Sequence, residues 1–276
     1  MKISIQGEAG SFHEVAARQF FDGKEIDIVP CSTFDKTINS VKTGLSDFAV
    51  MAIENARAGS ILYNYTLIRE SGLKILGEHN LRIKQNLMAL PGQTISNIKE
   101  IRTHPIAISQ CMTFLNKHPE ILLIESEDTA RSARQIAEES LPGVAAIAST
   151  NVARLYNLEI LAEGIETYQM NYTRFLVIGS KSKGIRDGDK ASVCFSLNHQ
   201  PGSLAGLLTK MAELDINLTK IQSVPRFNEK WGYMFYVDLE LGNNSNLETI
   251  EIELNEYATD LEVLGIYKKG DELHES

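Results

Sequence analysis

Through about residue 178 the chain alternates two hydrophobic rhythms. Short β-branched runs such as ISIQG, IDIVPC and DFAVMAIEN read as buried strands. Each is followed by a stretch with apolar residues at helical spacing: SFHEVAARQFF, TFDKTINSVKTG and SILYNYTLIRESG. The alternation resumes as EIRTH then SQCMTFLNKH, ILLIES then DTARSARQIAEES, and VAAIAS then TNVARLYN. Strands alternating with helices predict an α/β fold of βαβ units with parallel sheet, and ligand binding beyond the C-terminal ends of the strands. Residues 73 to 92 break the pattern with extended segments and little helix between them. A crossover between two α/β lobes, with a cleft between the lobes, accounts for that break.

Residues 179 to 190, GSKSKGIRDGDK, are polar and without periodicity, the signature of a linker. Beyond them the order becomes strand ASVCFSL, helix SLAGLLTKMAELD, strands NLTKIQSV and YMFYVDLEL, helix LETIEIELNEYA and strand LEVLGIY. This is βαββαβ, the ferredoxin-like order. The pattern therefore divides the chain into a first domain over residues 1–180 and a second over residues 191–276.

Charge narrows the choice of partner. The 276 residues carry a formal net charge of −9, and residues 181–276 hold 10 basic and 16 acidic groups. An acidic surface without a basic stripe argues against nucleic acid and for a small-molecule ligand. No apolar run approaches the roughly 18 residues of a membrane span, and the N-terminal MKISIQGEAGSF lacks the basic and apolar regions of a signal peptide, so no membrane partner and a cytoplasmic location are expected. Cys31, Cys111 and Cys194 are odd in number and far apart, which predicts reduced thiols packed as small hydrophobes. The six histidines show no metal-ligand spacing, and no Ser/His/Asp or Cys/His arrangement is present. Any activity should need neither a metal nor a covalent nucleophile.

Three segments carry polar groups to strand ends. Gly7 to Glu14 opens the first helix with a capping box, Ser11 and Glu14, whose free N–H groups suit a carboxylate; the same spacing fits an ordinary strand-to-helix turn. Glu54 and Asn55 close the strand FAVMAIEN, followed by Gly59 and the potential N-cap Ser60; Glu54 also suits a capping or ion-pairing role. Asn171, Tyr172, Thr173, Arg174 and Phe175 enter the last strand of the first domain, where Arg174 offers a bidentate carboxylate seat or a lobe-stabilising ion pair. Thr103, His104 and Pro105, with Ser109 and Gln110, mark another strand-to-helix junction, and His104 before proline reads as a turn residue.

In order, GEAGSFHEVAA, VMAIENARAGSI, THPIAISQC and NYTRF resemble the motifs of the prephenate dehydratase family, which converts prephenate to phenylpyruvate, water and CO2 in phenylalanine biosynthesis. The resemblance departs from the family's pattern at Glu8, where proline is usual, and at Ala56, where serine or threonine is usual. It covers nearly the whole chain, because the tail resembles the amino-acid-sensing ACT domain that members carry.

The resemblance implies two lobes like those of periplasmic binding proteins, a catalytic cleft between them, and a homodimer or homotetramer. It also implies the roles of the site residues. Prephenate is a dianion, so the helix starts at Ser11 and Ser60 and the Arg174 guanidinium are its candidate carboxylate seats. Thr173 is the positioned donor to the leaving hydroxyl, Phe175 excludes water, and Asn55, Gln110 and Asn171 orient the substrate. No cofactor is required, since the ring gains aromaticity.

In the tail, Gly202, Ser203 and Leu204 stand where the family has G-A-L, and Gln222 to Pro225 where it has E-S-R-P. Phenylalanine is then the implied effector, near Gly202, Ser203, Leu204, Asn217 and Leu218, while a purely structural tail is the competing reading. Two other functions stay open: the same reaction on arogenate, which has an amine in place of the ketone, and a non-catalytic amino-acid sensor.

Overall fold

In the computed structural model, residues 1–180, 188–226, 232–242, 247–270 and 274–275 are described. The linker expected over 179–190 falls largely on 181–187, outside the described residues. The apolar rhythms become β1 (Lys2–Gln6), α1 (Phe12–Phe20), β2 (Asp27–Cys31), α2 (Phe34–Lys42), β3 (Phe48–Asn55), a two-residue β4 (Gly59–Ser60) and α3 (Leu62–Ser71). The stretch without helix splits into β5 (Lys74–Arg82) and β6 (Asn86–Ala89). After a 3-10 turn at Ile95–Asn97 come β7 (Glu100–Thr103), α4 (Pro105–Gln110), α5 (Met112–Leu115), β8 (Leu122–Glu125), α6 (Thr129–Glu138), β9 (Val144–Ala148), α7 (Thr150–Leu155), β10 (Glu159–Ala162) and β11 (Tyr172–Gly179). The tail supplies β12 (Lys190–Ser196), α8 (Ser203–Glu213), β13 (Asn217–Pro225), β14 (Tyr233–Glu240), α9 (Leu247–Asn255), β15 (Thr259–Tyr267) and β16 (His274–Glu275).

Among the described residues the strands form three sheets, ordered β16-β5-β11-β3-β1-β2 with β4 on β3, β10-β6-β9-β7-β8, and β13-β14-β12-β15. The α/β class holds, but parallel pairing does not extend through the second sheet. There β7 runs parallel to β8 and β9, whereas β6 is antiparallel to β9 and β10. Residues 73 to 92 supply no helix between β5 and β6, and these two strands lie in different sheets, so this stretch carries the chain from the first sheet to the second.

The chain divides into two compact units. One comprises Met1–Asn64, His79–Leu176 and Asp271–Ser276; the other comprises Tyr65–Glu78 and Val177–Gly270. In the first unit the pleat of the second sheet feeds two cores. Leu87, Ala89, Ala145 and Ile147 face one helical layer, while Met88, Ala146 and Ala148 pack under α6 and α7 with Ala130, Ala133 and Val152. In the second unit, Val193, Phe195, Val237 and Leu239 of the antiparallel sheet close on Leu207 and Met211 of α8. This unit also buries an ion pair: both carboxylate oxygens of Glu78 accept from Lys190 Nζ at 2.9 Å, and Gly270 N–H donates to Glu78 Oε1 at 3.0 Å.

The three cysteines are free, with Cys111 and Cys194 buried and Cys31 half-buried. Burial pushes the Cys111 thiol up to about 12, with Glu166 adding to the shift. No described helix is long and apolar enough to cross a membrane.

Candidate active site

Thr173 and Phe175 lie one strand period apart at the start of β11, so the pleat sends both to the same face. They line a cavity of about 470 Å³ within the first unit, together with Ser11, Phe12, His13, Asn55, Gly59, Ser60, Gln85, His104 and Gln110. The strand-end segments singled out in the sequence thus converge on one space.

Asn55 is the hub of its polar wall. As the last residue of β3, it presents Nδ2 to Thr173 Oγ1 at 2.9 Å, to Asn171 Oδ1 at 3.0 Å and to the Tyr172 carbonyl at 3.2 Å. Its Oδ1 accepts the N–H groups of Arg57 and Ala58 at 2.9 and 2.8 Å, an Asx turn that folds the chain back toward β4. The Ala56 N–H donates to the Tyr172 carbonyl at 2.8 Å, so backbone and side chain together hold β11 against this turn.

The chemical consequence falls on Thr173. Its oxygen already accepts from an amide, so its own proton is left to donate, and Thr173 is buried beside the cavity. A second chain of amides runs from Gln85 Nε2 to Gln110 Oε1 at 3.1 Å and from Gln110 Nε2 to Asn171 Oδ1 at 3.4 Å. Asn171 Nδ2 and Gln85 Oε1 are buried without a hydrogen-bond partner among the described residues.

At the start of α1, Ser11 Oγ accepts from Glu14 N–H as the capping box requires. The Glu14 carboxylate instead reaches Gly10 N–H at 2.7 Å and pairs with Arg18 at 2.7 Å. The first-turn N–H groups of Phe12 and His13 have no intrahelical acceptor. His13 lies against Phe175 edge-on, with ring centroids 5.1 Å apart at 84°, and tilts on Phe34 at 5.7 Å. Its Nε2 accepts the Ala52 N–H at 3.2 Å, and burial holds its pKa down at about 4. The ring is neutral at neutral pH.

Other predicted residues fall elsewhere. The pleat that turns Thr173 and Phe175 into the cavity turns Arg174 away, and Arg174 is not among its lining residues. The described lining contains no lysine or arginine at all. The guanidinium seat expected at Arg174 is therefore not in this space. Ser60 borders the cavity, yet it does not begin a helix: Gly59 and Ser60 pair with Asn55 and Glu54, and α3 starts two residues later at Leu62. The Asx turn at Asn55 makes this a hairpin, which displaces the expected N-cap.

Glu54 sits in that register opposite Ser60 and is not among the lining residues. Asn171 lines a smaller adjoining cavity of about 210 Å³ with Gln110 and Arg57, whose guanidinium stacks 4.0 Å from the Tyr168 ring centre. His104 is an N-cap, its Nδ1 accepting from Ile106 N–H at 3.2 Å. His13 escaped sequence reasoning, although its place two residues past a helix N-cap at a strand's C-terminal edge was a usable signal.

In the second unit Gly202 takes a left-handed conformation, φ 88°, as the N-cap of α8. Ser203 and Leu204 border a cavity of about 500 Å³ that includes Arg226 and Asp260, paired at 2.9 Å. Asn217 and Leu218 do not border it: Asn217 donates to Glu240 Oε2 at 2.8 Å, and Leu218 packs against the sheet–helix core. Among the described residues no cluster of His, Cys, Asp and Glu is arranged to hold a metal.

The family described as prephenate dehydratase matches residues 3–183. An arogenate dehydratase/prephenate dehydratase 2 of Arabidopsis thaliana, chloroplastic, is 36% identical over 97% of this chain and 72% of its own length. Among solved structures, prephenate dehydratase from Arthrobacter aurescens in complex with L-Phe superposes with a TM-score of 0.87 at 27% identity, covering 99% of this chain and 92% of the other. GqqA, described as a novel type of quorum quenching acylase, also gives 0.87, at 30% identity over 97% of both chains.

Proposed function

The chain belongs to the prephenate dehydratase family, and on that premise we propose that the cavity at Thr173 converts prephenate to phenylpyruvate, carbon dioxide and water without a cofactor. As the carboxylate on the ring departs as CO2, its bonding electron pair enters the ring. Hydroxide is expelled from the opposite carbon, and the ring becomes aromatic. The hydroxide leaves as water, so the reaction takes up one proton overall.

The protein's task is to stabilise charge on the departing oxygen while keeping water out. Thr173 meets the first need by donating its hydroxyl proton in a hydrogen bond. A threonine hydroxyl is too weak an acid to give that proton away at neutrality, so the proton taken up comes from solvent. Phe175 and the apolar residues beside it meet the second.

One observation carries the assignment: Asn55 Nδ2 donates to Thr173 Oγ1, which fixes the oxygen as acceptor and leaves its O–H for the substrate. The purified protein should form phenylpyruvate from prephenate, and Thr173→Ala should lower kcat by roughly 100-fold or more with a smaller change in KM. Preferential formation of phenylalanine from arogenate overturns the substrate assignment. Ligand binding without either product makes the protein a sensor.

The regulatory reading extends this proposal. Residues 1–180 form the catalytic domain and residues 191–276 an ACT-type domain that senses phenylalanine. Support comes from the βαββαβ order, from the cavity at Ser203 and Leu204, and from the L-Phe complex of the Arthrobacter relative. Of the residues expected near the effector, Ser203 and Leu204 border this cavity. Phenylalanine should depress turnover; unchanged turnover reduces the tail to a structural role.

A further inference from the structure

The cavity poses a problem for a dianionic substrate, because its described lining offers no lysine or arginine, and Glu127 and Asp128 border it. Within this lining, the groups able to hold a carboxylate are neutral donors. His13 is one such group. Its ring borders the cavity beside Thr173 and is clamped edge-on against Phe175 and tilted on Phe34. The Ala52 N–H occupies the lone pair of Nε2, so the proton of the neutral ring resides on Nδ1. Nδ1 makes no hydrogen bond among the described residues, and it is not one of the sealed, unpaired polar atoms of the core.

We propose that His13 is a substrate-binding residue whose Nδ1–H donates a hydrogen bond to the carboxylate that prephenate shares with phenylpyruvate. The inference rests on the prephenate reading and deepens it. Two features favour that carboxylate over the one lost as CO2. A donor held on the departing carboxylate would stabilise a charge that disappears in the transition state and would slow the reaction. A donor on the retained carboxylate binds ground and transition states alike. It lowers KM and leaves kcat unchanged.

With its lone pair occupied and its proton tightly held, the ring acts as neither base nor acid. The Ala52 contact makes this an orienting device: a backbone N–H selects which ring nitrogen carries the proton.

Two substitutions separate substrate binding from a structural role. Asn at position 13 places an amide where Nδ1 stands but gives up the acceptor for Ala52, whereas Gln restores the acceptor and gives up the Nδ1 donor. His13→Phe should raise KM for prephenate roughly tenfold or more with kcat within about threefold, the loss of one hydrogen bond to a charged group. His13→Asn should recover most of that loss, and His13→Gln should not. In wild type, ¹⁵N-labelled imidazole should show the Nδ1–H tautomer, and the Nδ1 resonance should shift on addition of phenylpyruvate but not of phenylacetone, which lacks the carboxylate.

Recovery by Gln and not by Asn, or an Nδ1 resonance indifferent to phenylpyruvate, overturns the assignment to His13. A wild type that does not turn over prephenate overturns the proposed function itself. A wild type that does, with His13→Phe at unchanged KM, overturns the His13 role alone.

Discussion

Asn55 shows how one side chain sets the chemistry of another. Its amide donates to Thr173 Oγ1, and its carbonyl oxygen holds the turn that follows. Asn55→Asp keeps the acceptor for Arg57 and Ala58 but replaces the donor with a second oxygen. The proton of Thr173 would then turn toward Asp and away from substrate. The expected result is a fall in kcat of roughly 100-fold with KM much less affected, measured by steady-state phenylpyruvate formation. An unchanged kcat would mean that Asn55 does not poise the hydroxyl.

Residues of this kind were legible in the sequence, because polar side chains at the ends of apolar strands have few structural uses. Arg174 alternates with Thr173 and Phe175 along β11 and is not among the residues lining their cavity. His13 was legible only in part, as a side chain two residues past a helix N-cap. Its value comes from the Ala52 N–H and two phenylalanines brought up by distant elements.

At the scale of elements, two glycines that look alike in the sequence behave differently. Gly10 closes the turn into α1 at φ +86°, and a Cβ there would lie 2.8 Å from Val152 Cγ2 of α7. The turn is further fixed by Ser149 Oγ, which donates to the Gly10 carbonyl at 2.8 Å. Gly59, at φ +82°, would point a Cβ into open space. Gly59→Ala should thus cost only the left-handed conformation, about 1 kcal/mol. Gly10→Ala adds a clash with packed α7 and should cost roughly 2–4 kcal/mol. Urea unfolding of the two variants measures the difference, and equal losses would show that α7 yields freely.

The order of strands and helices was readable from apolar periodicity, including the βαββαβ tail. Strand direction was not, because β6 and β10 run antiparallel through pairings that no local pattern encodes. β10 itself, four residues between two loops, carries too little periodicity to stand out.

For the whole molecule, the formal charge of −9 means that a dianionic substrate is not drawn in by the overall field, and the donors that receive it have to be local. A neutral donor built from histidine has a thermodynamic consequence. In the unfolded chain His13 titrates near the ordinary histidine value of 6.5, whereas in the folded protein burial holds it at about 4. Between these values the unfolded state binds a proton that the folded state refuses, so stability falls as pH drops from about 6.5 to 4. Glu240 and Asp260 act lower on the scale: hydrogen bonds from Lys269 and Asn217 to the first, and from Ser196 and Arg226 to the second, lower their pKa values. What they contribute is present above the unfolded carboxylate range and lost only as pH falls through their folded values.

Wild type should therefore lose thermal stability in two stages on acidification, the first before the carboxylates titrate. His13→Asn, which has no titrating ring, should keep the second stage and lack the first, whatever its Tm at pH 7. The comparison is one of slopes in Tm between pH 6.5 and 4.5, read by calorimetry. Parallel slopes would show that the His13 ring accepts a proton in the folded state, and an imidazolium there would be a cationic rather than a neutral seat for the substrate carboxylate.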